Sequence, residues 1–219
     1  MKKVGLILSG CGVKDGSEIH EAVMALYFLD KNGADIKFFA PDKKQRDVID
    51  HYRMSPAEEN RNCLVEAARI ARGDIKPLSE IDMEELDAVI LPGGFGAAKN
   101  LCDFADRGAQ CDIDKVVEKI LKDAHEKKKV IGCICIAPAV VARAFSGTGL
   151  NVKLTVGTDK DTMNALRSMG ADPVEKEYSE ICVDEDNRIV STPAYMLGKS
   201  IAEIAEGIGK LVQKVLEMA

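Results

Sequence analysis

The sequence predicts an α/β protein built on a doubly wound, mainly parallel sheet with helices on both faces. Short apolar runs rich in β-branched residues alternate with longer amphipathic segments, the pattern of repeated βαβ units. Several of these runs open directly into loops with unusual residues, at the carboxyl ends of strands where such sheets bind ligands. One run, residues 130–134, passes into a helix through a cysteine, Cys135. The 219 residues suit one domain, 1–219, and no internal repeat or low-complexity linker divides them.

Residues 4–8 read as the first strand, followed at once by a glycine-rich loop over 9–16. That loop has neither the G-x-G-x-x-G spacing of a dinucleotide site nor the G-K-[ST] of a phosphate loop. Ser17 is suited to cap a helix over 17–29, which places Glu21 in its first turn. A strand over 35–40 ends at Pro41. The polar segment 43–54 suits a short helix, and 57–72 a longer one ended by Gly73. A strand over 88–91 leads into Pro92-Gly-Gly-Phe-Gly, where paired glycines let backbone N–H groups approach another group closely. A helix over 112–128 carries Val116, Val117, Ile120, Leu121 and Ala124 on one stripe. After the strand over 130–134, Pro138 fits the first turn of a helix. A strand over 153–156, a helix over 161–169 and a hairpin over 180–191 turned by 184–187 follow. An amphipathic helix over 201–218 ends the chain.

Composition removes several function classes. Aromatics are 5 % and Trp is absent, which argues against a stacking platform. The net charge of −6 and the lack of a basic block beyond Lys127-Lys-Lys129 argue against nucleic acid. Seven cysteines, odd in number and scattered, suit a reducing compartment rather than a disulfide framework. The apolar run near the N-terminus stops at Ser9-Gly10, short of a signal or membrane segment. The expectation is a cytoplasmic protein with no membrane partner. Cys133 and Cys135 form C-x-C with no second pair at zinc spacing, so no metal or other cofactor is expected.

A thiol on a sharp strand-to-helix turn sits over a helix N-terminus, where free N–H groups and the positive dipole end favour its thiolate. The N–H of Ile136 falls where it can hold a developing oxyanion, and Gly94 can supply a second donor. The other reading of Cys135 is a buried structural cysteine. Glu21, if confined beside the thiol, would be pushed toward its acid form and could move a proton. Of the histidines, His20 points roughly 100° away from Glu21 on the helix. His51 and His125 fall in surface-like segments, so no triad is evident. Cys11 lies in the first loop, where it could serve as a resolving thiol.

The strings Gly16-Ser-Glu-Ile-His-Glu21, Leu91-Pro-Gly-Gly-Phe-Gly-Ala-Ala-Lys-Asn-Leu101 and Cys135-Ile-Ala-Pro-Ala139 resemble the ThiJ/PfpI superfamily of class I glutamine amidotransferase-like domains. Ile7-Leu-Ser-Gly-Cys-Gly-Val13, Phe39-Ala-Pro-Asp42, Thr155-Val-Gly-Thr-Asp159, Val183-Asp-Glu-Asp-Asn187 and Thr192-Pro-Ala-Tyr-Met196 resemble its enhancing-lycopene-biosynthesis (ElbB-like) subfamily, a group of isoprenoid-biosynthesis-associated proteins. The resemblance implies a flavodoxin-like three-layer α/β/α sandwich with a nucleophile elbow at Cys135. It implies Glu21 as acidic partner, oxyanion donors at Gly94 and Ile136, and a homodimer. Some relatives are glutathione-independent glyoxalases that turn methylglyoxal or glyoxal into hydroxy acids. The superfamily's site histidine would fall near Thr155-Val-Gly-Thr158, where this chain has none, which speaks against amidotransferase or protease chemistry.

The expectation is therefore a glyoxalase-type lyase acting on a small aldehyde substrate through Cys135 and Glu21. The alternatives are a redox-sensing or partner-binding protein with an oxidisable Cys135, and a hydrolase of amides or esters.

Overall fold

The structure, a computed structural model, describes residues 1–219. The strands and α-helices run in the order β1 (Lys3–Ile7), α1 (Ile19–Lys31), β2 (Asp35–Ala40), β3 (Ile49–Asp50), β4 (Ser55–Pro56), α2 (Cys63–Ala67), β5 (Lys76–Pro77), β6 (Ala88–Leu91), α3 (Phe104–Arg107), α4 (Lys115–Glu126), β7 (Val130–Ile134), α5 (Pro138–Phe145), β8 (Lys153–Leu154), α6 (Lys160–Ser168), β9 (Asp172–Pro173), β10 (Cys182–Asp184), β11 (Ile189–Thr192) and α7 (Ile201–Met218). Seven strands form one sheet in the order β10-β11-β7-β6-β1-β2-β5. All neighbours pair in parallel except β10 with β11. This is the doubly wound, mainly parallel sheet expected from the alternating pattern, and the flavodoxin-like α/β fold that the family resemblance implies.

The apolar runs are continuous because both faces of the sheet are covered. Val4, Leu6, Ala88, Ile90, Val130 and Ile134 pack toward α1 and α7, while Val89, Leu91, Ile131 and Cys133 pack toward α4 and α5. Successive side chains thus alternate between two cores. The sheet grows outward from β1 in both directions, so β1 and β6 flank the topological switch. The loops after β1, β6 and β7 meet at that edge.

The structure corrects several local expectations. The N-cap of α1 is Glu18, whose carboxylate accepts from the N–H of Glu21; Ser17 instead binds back to Ser9 through its hydroxyl. Residues 43–54 form no helix. Ile49–Asp50 pairs with Ser55–Pro56 as a small hairpin, and Asp50 Oδ1 accepts the N–H groups of Tyr52 and Arg53, a local bond that competes with helix. The helix expected over 57–72 shrinks to α2. Residues 57 and 61 contribute backbone bonds to the loop at 45–48, and Asn62 caps the helix only where those bonds end. The strand expected over 153–156 is only β8, and it pairs with β9 outside the main sheet. The edge strand β5 and a π-helical turn at Ala97–Leu101 were not foreseen.

That turn presents Asn100, buried beneath the first loop. Its Nδ2 donates to the carbonyls of Ser9 and Asp15, both at 2.9 Å, and its Oδ1 accepts from the N–H of Arg46 at 2.9 Å. One amide thus fastens the β6–α3 connection to the loop that carries α1. Asn100→Ala strands buried backbone groups and is expected to destabilise the fold by about 2–4 kcal/mol. Urea unfolding measures this, and a change of less than about half a kcal/mol would be the contrary result.

Candidate active site

Cys135 follows the last residue of β7 with φ at 60°, a left-handed conformation for a residue that has a Cβ. Its own N–H donates to the carbonyl of Thr192 at 2.9 Å, which holds the kink against β11. Residues 138–145 then turn away as α5, with Pro138 in the first turn. The sulfur faces the N–H groups of Ile136 and Gly94, both within hydrogen-bonding reach. Gly94 has φ at 88°, and a Cβ there would stand 2.4 Å from the backbone nitrogen of Glu18.

Glu21 is fully buried at the start of α1. Its Oε2 accepts from the N–H of Gly93 at 3.0 Å, and its Oε1 from the N–H of Tyr195 at 3.3 Å. The carboxyl also lies beside the Cys135 thiol, close enough for each to shift the other's titration. The structure therefore brings together Cys135, Glu21, Gly94 and Ile136. A Cβ on Gly93 would lie 2.6 Å from Cys135 Cβ and 2.7 Å from Glu21 Oε2, so a bare backbone is required there.

Burial dominates the electrostatics. It pushes the Glu21 carboxyl up to about 8, with further help from the neighbouring Glu18 carboxylate; the bond from Tyr195, the adjacent Cys135 thiol and the bond from Gly93 oppose this. Burial also pushes the Cys135 thiol up, and the Glu21 charge adds to it; the Gly94 and Ile136 N–H groups only partly offset these effects. The helix N-terminus thus does not leave a free thiolate, contrary to the expectation for an exposed elbow. Cys135 is only 8 % exposed, and desolvation of its charged form outweighs two hydrogen bonds.

A cavity of about 330 Å³ opens over the sulfur, lined among others by Val13, Phe95, Phe104, Ile136 and Met196. Two residues here had no role assigned from the sequence. Glu18 lines the cavity and caps α1. Tyr195 lines it from the chain's far end, and its hydroxyl shares a 2.8 Å hydrogen bond with Nδ1 of the exposed His20. The Thr-Pro-Ala-Tyr string marked a place in the sequence but not this role.

The other histidines lie elsewhere: His51 accepts from the N–H of Lys14, and His125 packs edge-on against Phe145. Cys11 does not line the cavity. No group of three or more His, Cys, Asp or Glu side chains is placed to hold a metal ion.

The Glu21 shift has a consequence for stability. The folded chain keeps this proton up to about pH 8, against an ordinary value of 4.5. Its contribution to stability is complete below the ordinary value and is lost as pH rises through the folded one. Wild type should therefore lose on the order of 4 kcal/mol relative to the non-titrating Glu21→Gln between about pH 4 and pH 9. Unfolding of both proteins across that range tests this, and a pH-independent difference would contradict it.

The model of the DJ-1/PfpI family matches residues 11–197. The human glutamine amidotransferase-like class 1 domain-containing protein 3, mitochondrial, is 46 % identical over 99 % of this chain and 83 % of its own length. The rat ES1 protein homolog, mitochondrial, is 46 % identical over 99 % of this chain and 84 % of its own. These relatives lend no support to the cytoplasmic placement expected from composition. No helix here is long and apolar enough to cross a membrane. A crystal structure of an isoprenoid biosynthesis protein with amidotransferase-like domain from Ehrlichia chaffeensis superposes with a TM-score of 0.92 at 35 % identity, covering 99 % of this chain and 100 % of the other. Glyoxalase III from Candida albicans shares the fold, with a TM-score of 0.65 at 18 % identity and coverage of 99 % and 97 %. The chain belongs to the DJ-1/PfpI family.

Proposed function

We propose that the chain, acting as one domain, is a glyoxalase-type enzyme that converts small 2-oxoaldehydes to 2-hydroxy acids. Cys135 is the nucleophile, Glu21 the acid and base, and the N–H groups of Gly94 and Ile136 the oxyanion donors. The observation that carries this reading is the buried juxtaposition of the Cys135 thiol with the Glu21 carboxyl across the bare backbone of Gly93, where burial pushes the carboxyl up to about 8. A group with that value is present as both acid and base near neutrality, as a proton shuttle requires.

Glu21 takes the thiol proton as sulfur adds to the aldehyde carbon. The S–C bond forms, and the carbonyl electron pair moves to oxygen, where the two N–H groups hold the developing charge. Glu21 passes the proton to that oxygen. As carboxylate again, it removes the hydrogen from C1 as a proton; the electrons form a C1–C2 double bond and Glu21 hands that proton to the ketone oxygen, giving an enediol. Glu21, carboxylate once more, takes the C1 hydroxyl proton and delivers it to C2, which leaves a thioester. Water then breaks the C–S bond, sulfur recovers its proton and the hydroxy acid departs. C1 is oxidised and C2 reduced, so no outside oxidant or reductant is consumed.

No histidine side chain is bonded to the Cys135 thiol or the Glu21 carboxyl, which weighs against a hydrolase of amides or esters. A buried thiol held in its protonated form is a poor peroxide sensor, which weighs against the redox reading. The proposal includes the homodimer: Ile19, Val23 and Tyr27 are exposed at a four-residue spacing on α1, an apolar stripe suited to a second copy.

Methylglyoxal conversion to lactate tests the scheme. Glu21→Gln is expected to lower kcat/KM by about 10²–10⁴-fold, and Cys135→Ser by at least as much. Full turnover by Cys135→Ser would refute the mechanism. Light scattering on the same preparations should show two copies per particle; one copy discards the dimer.

A further inference from the structure

The cavity above Cys135 is much roomier than a methyl group requires. Its volume of about 330 Å³ is that of sites that enclose ligands of many heavy atoms. Nine of its eleven lining residues are hydrophobic, Cys135 and Tyr195 among them, and the single charged side chain on its wall is Glu18. No cation lines it. Two lysines stand close by, yet neither faces the interior. Lys14 and Lys99 lie over the ring of Phe95, 5.0 and 5.2 Å from its centroid, and Lys99 is paired with Asp47. Their charges are engaged by the ring's π face and a carboxylate while the wall itself stays apolar. A carboxylate or phosphate on the substrate would thus meet Glu18 with no counter-charge on the wall. An uncharged apolar group would displace water from Val13, Phe95, Phe104 and Met196.

We infer that the preferred substrate is an uncharged 2-oxoaldehyde whose second carbon bears a bulky apolar group, aryl or branched alkyl, seated in the cavity between Phe95, Phe104 and Met196. This rests on the aldehyde chemistry proposed above and narrows its substrate class. The reactive end is small and polar and needs only the sulfur, Glu21 and the two N–H groups. The remainder of the cavity gives nothing to glyoxal or methylglyoxal. It acts on an apolar substituent, whose burial can be used to hold C1 against the sulfur. With phenylglyoxal the same steps, including the one water that breaks the C–S bond, give mandelate.

The test is kcat/KM for glyoxal, methylglyoxal, isopropylglyoxal and phenylglyoxal, read as hydroxy acid by chromatography, in wild type and in Ala105→Phe. Ala105 is an exposed residue of α3 that lines the cavity, so the variant narrows it without touching the core. The expected result is a rise along the series, with phenylglyoxal at least about tenfold better than methylglyoxal. In Ala105→Phe the phenylglyoxal-to-methylglyoxal ratio should fall by about tenfold. Methylglyoxal turned over as well as phenylglyoxal in wild type, or a ratio unmoved by Ala105→Phe, overturns this inference and leaves the aldehyde reading standing. Failure of all four compounds to react overturns both.

Discussion

Three chain segments approach within bare backbone distance at the switch edge of the sheet, and this crowding governs the rest of the site. Gly93 passes so close to Cys135 and Glu21 that no side chain fits between them. The thiol and carboxyl can therefore meet directly, out of water. The same crowding positions the following N–H, that of Gly94, against the sulfur. It depends in turn on the loop after β1, which Asn100 and the Ser9–Ser17 bonds hold under the β6 turn. A parallel sheet supplies the three converging strand ends; the glycines convert convergence into contact.

Burial has two opposed effects on the chemistry. It withdraws the Cys135–Glu21 pair from solvent and so disfavours charge on either group. It also makes each of the four N–H groups that face them count for more, because their dipoles act in a poorly screened medium. Gly93 and Tyr195 serve the carboxyl, Gly94 and Ile136 the sulfur. One negative charge moving between sulfur, oxyanion and carboxyl finds donors at every stop, whereas two charges at once are penalised. Glu18 reinforces this by adding a fixed carboxylate one helical turn from Glu21. A shuttle of one proton suits an internal oxidation and reduction, in which hydrogen leaves C1 and returns at C2.

The elbow was legible because its signals are local. A β-branched run, a cysteine and a proline-started helix are contiguous, and the glycine pair after β6 is a short-range pattern. Glu21 was legible from its place in the first turn of α1, although the cap proved to be its neighbour Glu18. Tyr195 was not, because its approach to Glu21 joins residues far apart in the chain and depends on how β11 ends beside β7. The direction of the thiol's shift was also missed. A helix N-terminus can be read from sequence, but the depth of burial that overrides it is a property of packing. Among the elements, the long periodic helices and central strands were read correctly. The helix over 57–72 was not, because Asn62 and the backbone bonds of 45–48 claim its first half.

The central claim is that Glu21 makes the thiol harder to ionise and is nonetheless required to use it. The most direct measurement follows alkylation of the Cys135 peptide by mass spectrometry across pH in wild type and Glu21→Gln, alongside turnover. Burial and the Glu21 charge hold the wild-type thiol above its ordinary value of 9.0. Removing the charge should move the alkylation midpoint to lower pH while 2-oxoaldehyde turnover collapses. A midpoint that stays in place or rises in Glu21→Gln, or a variant that turns over normally, would contradict the account.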